Sequence, residues 1–183
     1  MSIDYILKNK FGIIPRFVEK EDSAFILSMR TDPQLNRYLS ATNNDIIKQE
    51  IWIEEYKKRE KLKQEFYFIF EIDKKTKYGV NRIYNIDTVS FEVGSWLFSL
   101  HSPESVSILA DLYARDFAFQ NNDSIEYCRF EVRKENKSVV NYHKRFNPTL
   151  VNEDRLNYYF ELSKTEYTKF RNVLIKFYYN GDK

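Results

Sequence analysis

A chain of 183 residues with 43% hydrophobic side chains is long enough to bury one substantial core, and its 29 basic and 27 acidic residues, interspersed, leave a net charge of +2 without the basic footprint of a nucleic-acid binder. A lone cysteine, Cys128, excludes an intramolecular disulfide, and two histidines without ligand-spaced neighbours argue against a metal site. No apolar run approaches the ~20 residues that span a bilayer, and Met1-Ser2-Ile3-Asp4-Tyr5 lacks the basic-then-apolar opening of a secretory signal, so a soluble, cytoplasmic protein with no membrane partner is expected.

Residues 12–18 read as a first strand. Asp22 is expected to cap a helix over residues 22–30, with Phe25, Ile26 and Met29 apolar at helical spacing, until Asp32-Pro33 interrupts and restarts it. Residues 45–61 make a further helix, presenting Ile46, Ile53 and Tyr56 beside Trp52, with Glu54, Lys57, Lys58 and Arg59 as a solvated face. Strands over residues 65–72, alternating through Phe66, Phe68 and Phe70, and over residues 79–84 are joined by the charged turn Asp73-Lys74-Lys75-Thr76-Lys77 into an antiparallel hairpin.

The next strand, residues 89–98, alternates so that Phe91, Val93 and Leu97 share one face and Glu92, Gly94 and Trp96 the other. Glycine inside a strand suggests a bulge or a close backbone approach. Ser102-Pro103 starts a helix, with Ser102 as N-cap and Pro103 at N1, whose stripe of Val106, Leu109, Ala110, Tyr113 and Phe117 runs until Asn121-Asn122-Asp123. On the strand Cys128-Arg129-Phe130-Glu131-Val132 the cysteine reads as a small core hydrophobe. A helix follows directly, and on it Val139, Tyr142, His143 and Phe146 share a face. A last strand over residues 158–162 precedes the capping box Ser163-Lys164-Thr165-Glu166 and a helix over about residues 164–178 with Tyr167, Phe170, Leu174, Phe177 and Tyr178 on one side. The order β-α-α-α-β-β-β-α-β-α-β-α, without repeat or linker, gives a single mixed α/β domain over residues 1–183.

Asn136 and His143 stand seven residues apart on the helix after the Cys128 strand, and the chain opens with Ile14-Pro15-Arg16-Phe17-Val18-Glu19-Lys20-Glu21-Asp22, then Met29-Arg30-Thr31-Asp32-Pro33 up to Ser40. In these features, over about residues 11–162, it resembles the GNAT superfamily of acyl-CoA-dependent N-acyltransferases, closest to the branch of the ribosomal-protein N-terminal acetyltransferases. Gly94-Ser95-Trp96 and the segment from Val132 to His143 also look like relatives that acetylate amino sugars carried on nucleotides. The resemblance implies a mixed sheet with an antiparallel amino-terminal part, whose fourth and fifth strands splay apart to admit a pantetheine arm. It also implies acetyl-CoA as co-substrate, direct attack by a primary amine, and a small-molecule amine acceptor, with a nucleotide-linked amino sugar preferred over a protein amino terminus. A homodimer is a further possibility.

Acyl transfer from a thioester needs a neutral amine, a polarised carbonyl and a proton for the thiolate. The resemblance makes Glu92 the base and His143 the acid. From spacing alone, Glu92 reads as a strand carboxylate paired with a basic neighbour such as Arg82, and His143 as a core histidine. Cofactor contacts implied in the same way are Trp96, Leu97, Ser102, Ser105, Ser107, Arg133, Lys134 and Asn136; acceptor contacts are Arg30, Tyr38, Arg82, Tyr84 and Tyr158. His101 reads as a loop residue near the phosphates. The family's pyrophosphate loop, Gln/Arg-x-x-Gly-x-Gly/Ala, aligns with Ser102-Pro103-Glu104-Ser105-Val106-Ser107, which has neither glycine, lacks one N–H at Pro103 and adds a negative charge at Glu104. That departure leaves a rival reading open, a non-catalytic module of the same fold.

Overall fold

The structure, a computed structural model, describes residues 11–73 and 75–179. The amino-terminal residues read against a secretory signal, Lys74 of the hairpin turn and both ends of the 1–183 domain lie outside them. One sheet contains Ile14–Phe17 (β1), Phe66–Glu71 (β2), Lys77–Tyr84 (β3), Ser90–Phe98 (β4), Tyr127–Arg133 (β5), Thr149–Glu153 (β6) and Asn157–Ser163 (β7), in the order β1-β2-β3-β4-β5-β7-β6. The helices are Ser23–Thr31 (α1), Ile46–Lys61 (α2), Glu104–Asn121 (α3), Lys137–Lys144 (α4) and Lys164–Tyr178 (α5). None in the described residues is long and apolar enough to cross a membrane.

Every residue of β2 is buried, as its unbroken Phe-Tyr-Phe-Ile-Phe run requires of a strand covered on both faces. Phe66, Phe68 and Phe70 pack with Tyr113 and Phe117 of α3, whereas Tyr67 and Ile69 join Ile26, Met29, Ile53 and Tyr56 of α1 and α2. The sheet therefore carries two cores, one on each face. Helix α3 is enclosed almost all round, buried from Ile108 to Phe119 without a break.

The expected splay is present. Strands β4 and β5 pair in parallel only at Ser90↔Tyr127, Phe91↔Cys128 and Glu92↔Arg129. Beyond Glu92, β4 bulges against β3, its register shifting opposite the Val80 to Arg82 step, with Ser95 at φ 50°. The bulge corrects the alternation read from sequence. Trp96 turns to Tyr142 and His143 on the α3 and α4 side with Phe91 and Val93, and Leu97 turns to Val80 and Ile69 on the other face.

Other differences have local causes. Strand β6 was not anticipated: its side chains are all exposed, so it shows no inward apolar period. The second of the three early helices is only a 3₁₀ turn, Asn36–Tyr38. Helix α3 starts at Glu104 with Pro103 as N-cap, leaving Ser102 outside with its hydroxyl on the Pro103 carbonyl at 3.3 Å. Asp22 makes no side-chain cap to α1; its buried carboxylate takes both Nη atoms of Arg16, at 2.7 and 2.8 Å, and Lys77 at 2.7 Å. Ser163 does cap α5, but Glu166 pairs with Lys169 rather than closing the box, and Ile46 and Phe177 are exposed.

Candidate active site

Between the segment joining α1 to α2 and the splayed ends of β4 and β5 lies a cavity of about 570 Å³. Arg30, Tyr38, Arg82 and Tyr84, four of the five acceptor residues expected from sequence, line it together with Trp52 and Arg133. The fifth, Tyr158, is not on its wall; that ring has the Lys134 and Lys144 ammonium groups at 5.0 and 5.9 Å.

Arg82 is fixed from behind. Its Nε donates to Glu65 Oε1 at 2.5 Å, and the other oxygen of this 3% exposed carboxylate accepts from Arg59 Nε at 2.7 Å. The Arg82 guanidinium also lies 4.6 Å from the Tyr84 ring centroid and 5.1 Å from that of Trp52. A buried carboxylate needs such partners. Glu65 thereby takes the arginine that sequence spacing offered to Glu92, and it was missed because nothing in the sequence brings residues 59, 65 and 82 together. Arg30 Nε donates to Thr42 Oγ1 at 2.7 Å.

Glu92, partly buried, stands opposite Tyr84 across the β3–β4 ladder. Burial, then the charge and hydrogen bonding of Glu92, pushes the Tyr84 phenol up to about 12. The Tyr84 ring lies over Gly94: a Cβ there would come within 2.9 Å of Tyr84 Cε1 and 3.0 Å of its hydroxyl oxygen. This is the close approach that a glycine in mid-strand suggests.

His143 lies in the core, 5% exposed, its ring 4.4 Å from that of Phe130 and 4.9 Å from that of Tyr142. Its Nδ1 faces Arg115 Nη2 at 3.4 Å. Burial, with the Arg115 charge adding to it, pushes the imidazole down to about 3. At neutral pH it is uncharged and holds no imidazolium proton to give, which favours the core reading of His143 over the acid role. Around it, Arg115 Nε donates to Asp111 Oδ2 at 2.9 Å, Tyr142 donates to the same oxygen at 2.8 Å, and Arg115 Nη1 reaches Cys128 Sγ at 2.9 Å. Sequence reading passed over this cluster. Its one signal is Asp111 and Arg115 at i, i+4 inside an otherwise apolar helix.

The expected cofactor residues divide. Trp96 Nε1 donates to the Ser107 carbonyl at 2.9 Å and Leu97 is buried in the α1–α2 core, so both side chains are committed to packing. Asn136 caps α4, accepting from Val139 N at 3.3 Å; Lys134 pairs with Glu153 at 2.8 Å; Arg133 is on the cavity wall. Ser107 donates to the Glu104 carbonyl at 2.9 Å, and no side chain caps the α3 terminus that Ser102, Ser105 and Ser107 surround. His101 is exposed in the preceding loop.

Residues 13–147 match the family described as Acetyltransferase (GNAT) domain. Among solved structures, the apo form of FdhC, a nucleotide-linked sugar GNAT, is 30% identical with a TM-score of 0.78, over 88% of this chain and 92% of that one. Spermidine N-acetyltransferase from Vibrio cholerae, in complex with CoA and spermine, shares the fold at 17% identity and a TM-score of 0.71, over 87% of this chain and 99% of that one. No curated protein sequence matches significantly.

Proposed function

Because the chain belongs to the GNAT family of acyl-CoA-dependent N-acetyltransferases, we propose that it acetylates the amine of a nucleotide-linked amino sugar, with acetyl-CoA as donor and Glu92 as base. The observation that carries the acceptor is the charge of the cavity. Arg30, Lys48, Arg82 and Arg133 line it against one acidic residue, Glu131, among the described residues. An excess of cations attracts a diphosphate and repels a polyamine, and terminal guanidinium nitrogens take phosphate oxygens in pairs. Trp52, Tyr38 and Tyr84 supply ring faces for a base or sugar, and about 570 Å³ falls within the range of small-molecule sites. The similarity to a nucleotide-linked sugar GNAT supports the same reading.

The residues present fit acetyl-CoA. Past Glu92 the β4 and β5 backbones no longer pair with each other, which leaves their polar groups for an extended pantetheine arm. The uncapped first turn of α3, with Ser102, Ser105 and Ser107, would hold the pyrophosphate, and Arg133, Lys134 and Asn136, at the end of β5 and the start of α4, would add further contacts. Trp96 and Leu97 would contribute backbone alone. Bound there, acetyl-CoA supplies the activated carbonyl, and Glu92 keeps the attacking amine neutral.

The test is an acyl-transfer screen against UDP- and dTDP-linked amino sugars, spermidine, aminoglycosides and ribosomal-protein peptides. Turnover with a nucleotide-linked amino sugar, at a KM that rises with salt, is the expected result. Turnover confined to spermidine or to peptides overturns the acceptor assignment.

A further inference from the structure

We infer that Tyr84 is a second catalytic residue, the hydroxyl through which the proton of the acceptor amine reaches Glu92. The inference rests on the reading of Glu92 as the base and adds the route to it. Tyr84 lines the acceptor cavity, and Glu92 is absent from the residues that do. The two are cross-strand partners on β3 and β4, so their side chains leave the sheet side by side on the same face. Gly94 is the third part: with no Cβ it lets the Tyr84 ring lie flat along β4, its hydroxyl over the strand one pleat beyond Glu92. A carboxylate set back from the cavity reaches a substrate proton through an intervening hydroxyl or water.

The step balances without a further reactant. An ammonium N–H bond breaks and its proton passes to the Tyr84 oxygen as the phenolic proton passes to Glu92, leaving a neutral amine, a neutral phenol and a protonated carboxyl group. The nitrogen lone pair then attacks the thioester carbonyl, the C–S bond breaks, and the second nitrogen proton goes to the departing thiolate. Glu92 returns its proton to solvent. Because the phenol is held well above neutral pH, it conducts a proton and does not store one.

The experiment compares Tyr84→Phe, Glu92→Gln and the double variant, using whichever amine of the screening panel the wild type acetylates. Acetyl-CoA affinity by titration calorimetry serves as the control for folding. Glu92→Gln is expected to lower kcat by ~10²- to 10⁴-fold and Tyr84→Phe by about 10²-fold. The double variant should be no slower than Glu92→Gln alone, since two links of one relay are lost only once. A Tyr84→Phe variant with wild-type kcat, or one that only raises the acceptor KM and multiplies with Glu92→Gln, overturns the relay and leaves the base standing. Wild-type turnover in Glu92→Gln removes the base and the relay together. So does a panel in which no amine is acetylated.

Discussion

His143 shows how a single side chain takes its chemistry from its surroundings. Its folded pKa of about 3 lies below the ordinary value of 6.5, so between those values the unfolded chain binds a proton that the folded chain does not. Stability must then fall as pH drops from about 6.5 towards 3, by at most ~1.4 kcal/mol per pH unit from this group. Other acidic groups add their own slopes, so the difference between wild type and His143→Phe isolates it. Urea midpoints at pH 7 and pH 5 are expected to differ less in the variant, with kcat close to wild type. A variant that folds normally but loses turnover returns His143 to the role of acid. Arg115 supplies a second check at this scale. Replacing it by methionine strands Asp111, which is fully buried, and the loss of one partner of a buried pair costs about 3–5 kcal/mol; chemical denaturation should show a loss of that size.

At the scale of elements, β4 does three things within nine residues. It pairs with β3 from Glu92 to Phe98 with one interruption, with β5 only to Glu92, and it bulges at Ser95 so that its far half turns over. The missing Cβ at Gly94, just before the bulge, makes room for the Tyr84 ring. Gly94→Ala should therefore push that ring aside and lower kcat by up to ~10²-fold, the scale of an ångström's misplacement in an active site, while acetyl-CoA still binds. A fully active Gly94→Ala enzyme would show that the position of Tyr84 does not matter. Helix α2 sets the opposite wall. Asp45 caps it twice, accepting from Ile47 N at 3.0 Å and Lys48 N at 3.1 Å, so Asp45→Ala should cost about 1 kcal/mol, read as a lower urea midpoint at unchanged slope.

For the molecule as a whole, the cleft divides the sheet, and a ligand lying between β4 and β5 would bind the folded state alone. At a hundred times its dissociation constant acetyl-CoA should then add ~2.7 kcal/mol, which for a chain of this size raises Tm by about 5–11 °C. Thermal unfolding with and without millimolar acetyl-CoA measures it directly. An unmoved Tm would show that the loop without glycines no longer takes the cofactor.

Much of this architecture is written in local pattern. The Phe-Tyr-Phe-Ile-Phe run, the stripe of α3 and the Ser163 cap each report the element they belong to, because side-chain period and terminal hydrogen bonding are decided within a few residues. The resemblance added the splay and pointed to five residues that do line the cavity, Arg133 among them. What stayed hidden depends on partners far apart in the chain. The Arg115 that faces His143 is 28 residues away. Glu65 claims Arg82 across 17. The Ser95 bulge reverses an alternation that looked regular. Strand β6, exposed along its length, has no buried face to leave a period. A period records which side of an element is apolar, whereas the charge, proton affinity and direction of a side chain are settled by what packs against it, and only the tertiary structure decides that.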